Sequence, residues 1–425
     1  MFILNNNSTL KTITLLLATL TYSQLANATN GYFMSGYSIK SQGMGGVAIA
    51  LPQDALVTAT NPAGIVFVGN RIDLGLDYFK PDRTAQVVGN QYGGSFDANG
   101  RGSFLIPDFG VTKQVNDTIG VGLAIYANGG MNTTYTSQIP LFSGGQGSNA
   151  GVNLQQLFIA PSIAWKFTPQ QSLGVSMIYA QQKFSATGLQ AFDQSSPSYT
   201  NSLGNVTDKG SSISNGFGAN IGWLAKLNDQ WRIGLHYQTR IHGSFNEYSG
   251  LFADNGTFDI PANYGLGLSF EPTKKTVIAL DIQRIEYGNS SSIANPLSNL
   301  TQLGNKLGSN GGPGFGWQSI NTYKLGVAYQ FLPSLTVRTG FNYNNQPIPN
   351  SQTFFNILAP GTVQKELSLG FTYNINKTID FSGFYSHALN QTVYGSNSIP
   401  SGFGGGEANI RLSEDYYGLG IGMKY

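Results

Sequence analysis

The sequence predicts an all-β fold: a 14-stranded antiparallel transmembrane β-barrel with an N-terminal hatch, or plug, inside it. Three observations predict it. The first is composition: of 425 residues, 40% are hydrophobic, 12% aromatic and only 10% charged, with 55 glycines and no cysteine. A soluble chain carries roughly 25% charged residues, so this one has too little charge to cover a water-exposed surface. A net charge of +2 and the aromatic content exclude disorder, glycine lacks the period of collagen, and no run of about 20 apolar residues is present for a membrane helix. The second is strict alternation of apolar and small or polar residues. The third is the alternation of short and long connections. A membrane barrel unites all three, because lipid-facing and interior residues alternate and no stretch is continuously apolar.

Residues 1–28 read as a secretory signal peptide. Lys11 supplies the charge, residues 12–20 (TITLLLATL) the apolar segment, and Ala26-Asn27-Ala28 the small-residue cleavage site, so the mature chain begins at Thr29. Without cysteine there is no disulfide framework or thiolate metal site, no cofactor is called for, and without a basic run nucleic acid is not expected as a partner.

The barrel is expected over residues 71–425. Ile72, Leu74, Leu76 and Tyr78 alternate with Asp73, Gly75 and Asp77; Ile119, Val121, Leu123 and Ile125 with glycine and alanine. Further rows start at Leu173, Trp231, Tyr264, Tyr323, Leu335 and Leu367, the Trp231 row being extended to Ile241 with Arg240 on its inner face. Each strand is expected to have about 9–11 residues, the length needed to cross a bilayer. Short turns are expected at Asn116-Asp117, residues 168–171, Asn228-Asp229, residues 271–274, Leu332-Pro333 and Asn376-Lys377, with long polar loops over 185–215, 288–314 and 389–410. Counting on this basis gives about fourteen strands, an even number as in bacterial single-chain barrels. The chain ends on Tyr417, Leu419, Ile421, Met423 and Tyr425, which resembles the terminal signal read by the barrel assembly machinery. Tyr78, Trp165, Trp231, Tyr237 and Tyr425 suit the aromatic girdles at the two membrane surfaces. The expected location is the bacterial outer membrane, among its lipid and lipopolysaccharide, as a monomer.

Residues 29–70 break the alternation. Gly43-Met44-Gly45-Gly46, Asp54 to Val57 and Asn61-Pro62-Ala63-Gly64 are small and nearly uncharged, which suits a compact plug better than a solvated periplasmic tail. The run NGYFMSGYSIKSQGMGGVAIALPQDALVTATNPAG resembles the N-terminal hatch of the FadL/TodX family of outer-membrane transporters for long-chain fatty acids and other hydrophobic compounds, and Asn61, Pro62 and Ala63 match the family's Asn-Pro-Ala motif. Residues 258–288 and 322–349 are similar to the family's central hairpins, with Arg338 and Gly340 in its R-x-G position.

The resemblance implies passive uptake of hydrophobic compounds, foremost long-chain fatty acids: capture at an outer groove of long loops, passage to an apolar pocket, and sideways release at a kink in the third strand. That kink is placed at Asn128, Gly129 and Gly130, residues that also fit a simple turn into a loop. Loops 128–151 and 185–215 would form the groove through Leu141, Phe142, Leu189 and Phe192. Inward Phe158, Ile178, Phe184 and Phe384 suit an apolar pocket. A fatty-acid carboxylate calls for a cation, for which Arg240, Lys324 and Arg338 are the inward candidates; the reading ahead of this for each is an ion pair with inward Asp73, Asp77, Asp108, Asp281 or Glu366 that stabilises hatch and wall. Tyr32 and Phe33 are candidates because the family's N-terminal residues lie near pocket and kink. The alternatives are a general diffusion porin, a transporter of aromatic hydrocarbons, an adhesin, or an outer-membrane lipase. The last needs a nucleophile beside a base, and His236, His242 and His387 sit in no such motif, so no enzyme is expected.

Overall fold

A computed structural model describes residues 30–425; residues 1–28, read above as a signal peptide, and Thr29 lie outside them. The strands are β1 (Arg71–Val88), β2 (Gly94–Asp97), β3 (Phe104–Gln114), β4 (Ile119–Thr134), β5 (Gly151–Thr168), β6 (Gln171–Thr187), β7 (Ser212–Lys226), β8 (Trp231–Gln238), β9 (Asn263–Thr273), β10 (Thr276–Ile285), β11 (Ile320–Leu332), β12 (Leu335–Asn344), β13 (Lys365–Asn374), β14 (Ile379–Val393) and β15 (Glu407–Lys424). Neighbours pair antiparallel throughout, and β1 closes on β15 from Arg71↔Lys424 to Val88↔Glu407. The four-residue β2 pairs only with the outer part of β1, which leaves fourteen barrel strands. Closure removes the sheet edge, which lipid cannot satisfy. No helix among the described residues is long and apolar enough to cross a membrane.

The six short turns fall near where expected, with two shifts: Leu332 stays in β11, so its hairpin turns at Pro333-Ser334. Glu271 to Thr273 stay in β9, so that hairpin turns at Lys274-Lys275. The strands are longer than a bilayer requires: β1, β5 and β15 have 18 residues each. The reason is an inversion of polarity along them. In β1 the outward side chains run Leu74, Leu76, Tyr78 and then Lys80, Asp82, Thr84, Gln86; the inward ones run Asp73, Gly75, Asp77 and then Phe79, Pro81, Arg83, Ala85, Val87. β15 does the same, passing from Ile421, Leu419 and Tyr417 to Asp415, Ser413 and Arg411 on its outer face. Beyond the lipid the wall is wet outside and largely apolar inside, and the ladder continues. The loops are therefore shorter than the polar stretches suggested, 188–211 and 394–406 for instance.

Residues 30–68 are buried among the inward side chains. They form three short helices, α1 (Ile39–Gln42, capped by Ser38), α2 (Val57–Thr60) and α3 (Ile65–Val68), and a 3-10 turn at Pro62–Gly64. Wall side chains satisfy the backbone of this irregular segment, as buried amides require. Asp281 accepts from the Ala48 and Ile49 amides at 2.7 and 3.0 Å. Asp73 accepts from Ala55 at 2.9 Å, and Ser368 from Gly45 at 2.8 Å. Lys40 pairs with Asp380 at 2.8 Å. Inward glycines make the room: a methyl group on Gly340 would overlap the Gly45 amide, and one on Gly222 would overlap Asn61 Oδ1.

Candidate hydrophobic transport site

Asn61 caps the 3-10 turn through Oδ1, which accepts from Ala63 N at 3.1 Å, and its Nδ2 donates to the carbonyls of Ile49 (2.7 Å) and Trp223 (3.1 Å). Pro62 follows at the first helical position, where its missing N–H costs nothing. The Asn-Pro-Ala triplet thus joins two parts of the plug segment to strand β7.

The third barrel strand, β4, follows β3 only from Gly120↔Gln114 to Ile125↔Phe109. Beyond Ile125 it bulges at Asn128, where its register with β5 shifts, and takes up the plug segment instead. Phe33 bridges to Gly129, Met34 N donates to Asn128 O at 3.1 Å, and Gly130 N donates to Tyr32 O at 3.0 Å. The β3 residues Phe104 to Asp108 pair with β1 but find no β4 partner. Met34, Ile39, Phe104, Ile106, Ala127 and Phe384 fill this break in the wall. Asn128 is itself fixed by Tyr37, whose hydroxyl donates to its Oδ1 at 3.0 Å, and by Gln156 at 2.9 Å.

Two cavities lie above and beside this junction. The upper one, about 40 Å³, is roofed by the long loops and lined by Phe142, Phe184, Phe192, Phe252, Phe315 and Phe355 among others. Leu141, Phe142, Leu189 and Phe192 are buried here, not displayed on an open groove, since apolar loop residues fold inward out of water. The lower one, about 30 Å³, lies among Gly31, Phe79, Arg83, Met131, Trp317 and Glu414. An unbroken series of rings joins them: Phe184 to Phe252 (4.8 Å between centroids), Phe252 to Phe258 (4.8 Å), Phe258 to Tyr32 (6.4 Å), Tyr32 to Trp317 (6.0 Å).

Of the candidate residues, Tyr32 and Phe33 belong to this series, and Phe158 sits beneath it, edge-on to Tyr126 at 5.5 Å. The cations do not. Arg240 is not inward-facing: β8 ends at Gln238, and the Arg240 side chain is 44% exposed, 3.7 Å from Asp259. Lys324 is buried but donates to Ser35 O at 2.7 Å and Gln283 Oε1 at 3.1 Å. Arg338 donates to Gln53 and Thr372 near the short-turn end. Lys324 and Arg338 hold the plug segment, and neither lines either of these two cavities.

Tyr287, Trp317, Phe252 and Phe258 were not found from sequence. They sit in loops, where no periodicity marks the inner face; only their size amid Gly- and Ser-rich surroundings signals them. Tyr287 is central. Its hydroxyl accepts from the Tyr32 and Phe33 amides (3.1 and 3.3 Å) and donates to Asn30 O (2.5 Å). Burial pushes this phenol well above its ordinary pKa, so it stays a neutral donor. Tyr287→Phe strands these partners, at about 1–3 kcal/mol for each buried group left unsatisfied. Faster hydrogen exchange at the Tyr32 and Phe33 amides is the expected readout; unchanged exchange would show the hydroxyl to be dispensable.

The sequence profile of the family described as "Outer membrane protein transport protein (OMPP1/FadL/TodX)" matches residues 19–425. The chain is 24% identical over 396 residues to the long-chain fatty acid transport protein of Escherichia coli, covering 84% of this chain and 86% of that one. It is 22% identical to outer membrane protein P1 of Haemophilus influenzae, over 81% and 82% of the two chains. Among solved structures it superposes on the Pseudomonas putida toluene transporter TodX with a TM-score of 0.68 at 18% identity, covering 92% of this chain and 99% of that one. It also superposes on a Pseudomonas aeruginosa FadL homologue with a TM-score of 0.70 at 16% identity, over 93% and 99%. The closed barrel and the sequence match agree: this chain belongs to the OMPP1/FadL/TodX family of outer-membrane transporters of hydrophobic compounds.

Proposed function

We propose that the protein carries neutral hydrophobic molecules passively across the outer leaflet. They enter the loop-roofed cavity, move along the aromatic series past Tyr32, and leave sideways where β4 parts from β3. The observation that carries this reading is the interrupted β3–β4 ladder, filled by apolar side chains and sealed by residues 32–34. An apolar filling separates from lipid at far lower cost than a hydrogen-bonded ladder would.

The relatives' names cover both a fatty acid transporter and a toluene transporter. The present side chains favour uncharged cargo, because Lys324 and Arg338 are engaged with the plug segment and Arg240 with Asp259 and the Asn289 carbonyl. A bare carboxylate in an apolar cavity is costly without such a partner. A diffusion porin fits less well, since the interior is filled and the route is lined by rings.

Uptake of labelled toluene and oleate by cells with and without the protein tests this. Toluene uptake is expected to rise severalfold with the protein and oleate uptake less; no rise for either would sink the transport reading. A larger rise for oleate would return the preference to fatty acids.

A further inference from the structure

We propose that three buried side-chain amides, Asn128, Gln156 and Gln182, form a coupling row between the rings of the route and the seat of the plug segment, so that a molecule pushing past Phe258 loosens residues 32–37 at the break in the wall. The inference rests on the transport reading above and adds to it the positioning residues that join entry to release.

The row runs in one direction. The Tyr37 hydroxyl donates to Asn128 Oδ1 (3.0 Å), Asn128 Nδ2 to Gln156 Oε1 (2.9 Å), Gln156 Nε2 to Gln182 Oε1 (2.8 Å), and Gln182 Nε2 to the Phe258 carbonyl (3.0 Å). Asn128 and Gln156 are fully buried and Gln182 is 2% exposed. Strand register builds the row: Gln156 stands opposite Gly129 at the β4 bulge and directly opposite Gln182 in the β5–β6 ladder. Its direction is set at one end. A carbonyl only accepts, so Phe258 O requires the Nε2 of Gln182; this turns Oε1 towards Gln156, and the same choice passes down to Asn128. Each amide thereby polarises the next, which strengthens the bonds along the row.

One end of the row senses the route. Phe258 is wholly buried among Phe252, Phe245 and Tyr32, at 4.8, 5.9 and 6.4 Å between centroids. The cavities above and below hold only about 40 and 30 Å³, whereas a cavity that takes up benzene measures about 150 Å³. A molecule therefore passes only by pushing rings aside, and a ring packed this closely shifts together with its backbone. The other end of the row holds the plug segment. Asn128 engages it twice, through Oδ1 on the Tyr37 hydroxyl and through its carbonyl on Met34 N at 3.1 Å. Once Phe258 O withdraws, Gln182 is free to turn its amide over. The row then has two orientations instead of one, and Asn128 no longer presents a fixed acceptor to Tyr37.

The test follows hydrogen exchange by mass spectrometry in the full chain in lipid nanodiscs, with and without toluene. Exchange over residues 252–258 reports that toluene has entered; exchange over residues 32–37 reports the seat. In the unsubstituted protein toluene is expected to speed exchange over 32–37 about fivefold, the worth of roughly one hydrogen bond between neutral groups. Gln182→Met keeps the length of the side chain and removes its amide. It should raise exchange over 32–37 to that level without toluene, and toluene should then add less than about twofold, because both act on the same row. Gly243→Ala changes no member of the row, but its methyl group would overlap Gln182 Nε2, and it should raise exchange over 32–37 in the same way. Amides with a purely structural role would give additive effects, with toluene acting on Gln182→Met as on the unsubstituted protein; that result overturns the proposal. So does a toluene response over 252–258 with none over 32–37 in the unsubstituted protein, or a Gly243→Ala protein unchanged over 32–37. Should Gln182→Met fail to fold, the unsubstituted and Gly243→Ala proteins still decide. If residues 252–258 do not respond while cells take up toluene, the coupling fails and the transport reading stands. If uptake is absent too, both fail.

Discussion

Gly129→Val is expected to release residues 30–34 from the barrel wall without unfolding the barrel. A Cβ at this position would overlap the Tyr32 carbonyl and crowd the Phe33 backbone. The Phe33↔Gly129 bridge and the two flanking backbone bonds, Met34 N to Asn128 O and Gly130 N to Tyr32 O, cannot then form. Each buried amide or carbonyl left alone costs about 1–3 kcal/mol, so the local penalty is several kcal/mol. The barrel keeps its closure, because β4 remains paired with β5 and, below the bulge, with β3. Hydrogen exchange should show lost protection over residues 31–34 alone. Toluene uptake should fall severalfold, because Tyr32 and Phe33 leave the aromatic series and water enters it. Lost protection with normal uptake would show that the route does not pass these rings.

Asn61→Ala is expected to have the second-largest effect. One side chain supplies three hydrogen bonds, to Ile49 O, Trp223 O and from Ala63 N, and it is fully buried. Truncation leaves those backbone groups without water or partner, a loss of roughly 2–5 kcal/mol confined to the plug segment. The facing Gly222 and Gly234 add no side chain that could substitute. The barrel should still assemble and shift its gel mobility on heating. Toluene uptake should drop, and planar bilayers should show ion conductance where the intact protein shows little. A silent bilayer together with full uptake would mean that this anchor does not hold the plug in its working position.

The barrel was legible in the sequence because its lower half obeys one rule. Leu74, Leu76 and Tyr78, or Leu419, Ile421 and Met423, alternate with glycines and acids that meet the plug segment. The strand ends were not legible, since above Tyr78 the same alternation continues with its faces exchanged, and a reader who follows hydrophobicity sees a polar loop. Asn61, Pro62 and Ala63 stood out through local chemistry that needs no tertiary information, a cap followed by proline. The cations were only partly legible, because parity along a strand gives only the face. It cannot say that Lys324 meets a carbonyl from residue 35, or that the chain leaves the sheet before Arg240. Glu414 and Arg83 escaped notice for a related reason: above the inversion an inward charge sits among apolar neighbours from other strands.

The exchange of faces along the strands places two oily phases at different heights. Outside, the belt that meets lipid ends near Tyr78 and Tyr417; inside, the apolar chamber begins beside them, at Phe79 and Tyr416. The two overlap only in a narrow band. The unpaired stretch of β3 lies in that band, with Leu105 opposite Tyr78 and Phe104 opposite Phe79. The wall is thus thinnest in hydrogen bonds at the one level where the inner and outer phases adjoin. On the proposed route the barrel would act as an extraction vessel, in which a solute drawn from water into the upper phase spills over a low sill into the lower one without meeting water again.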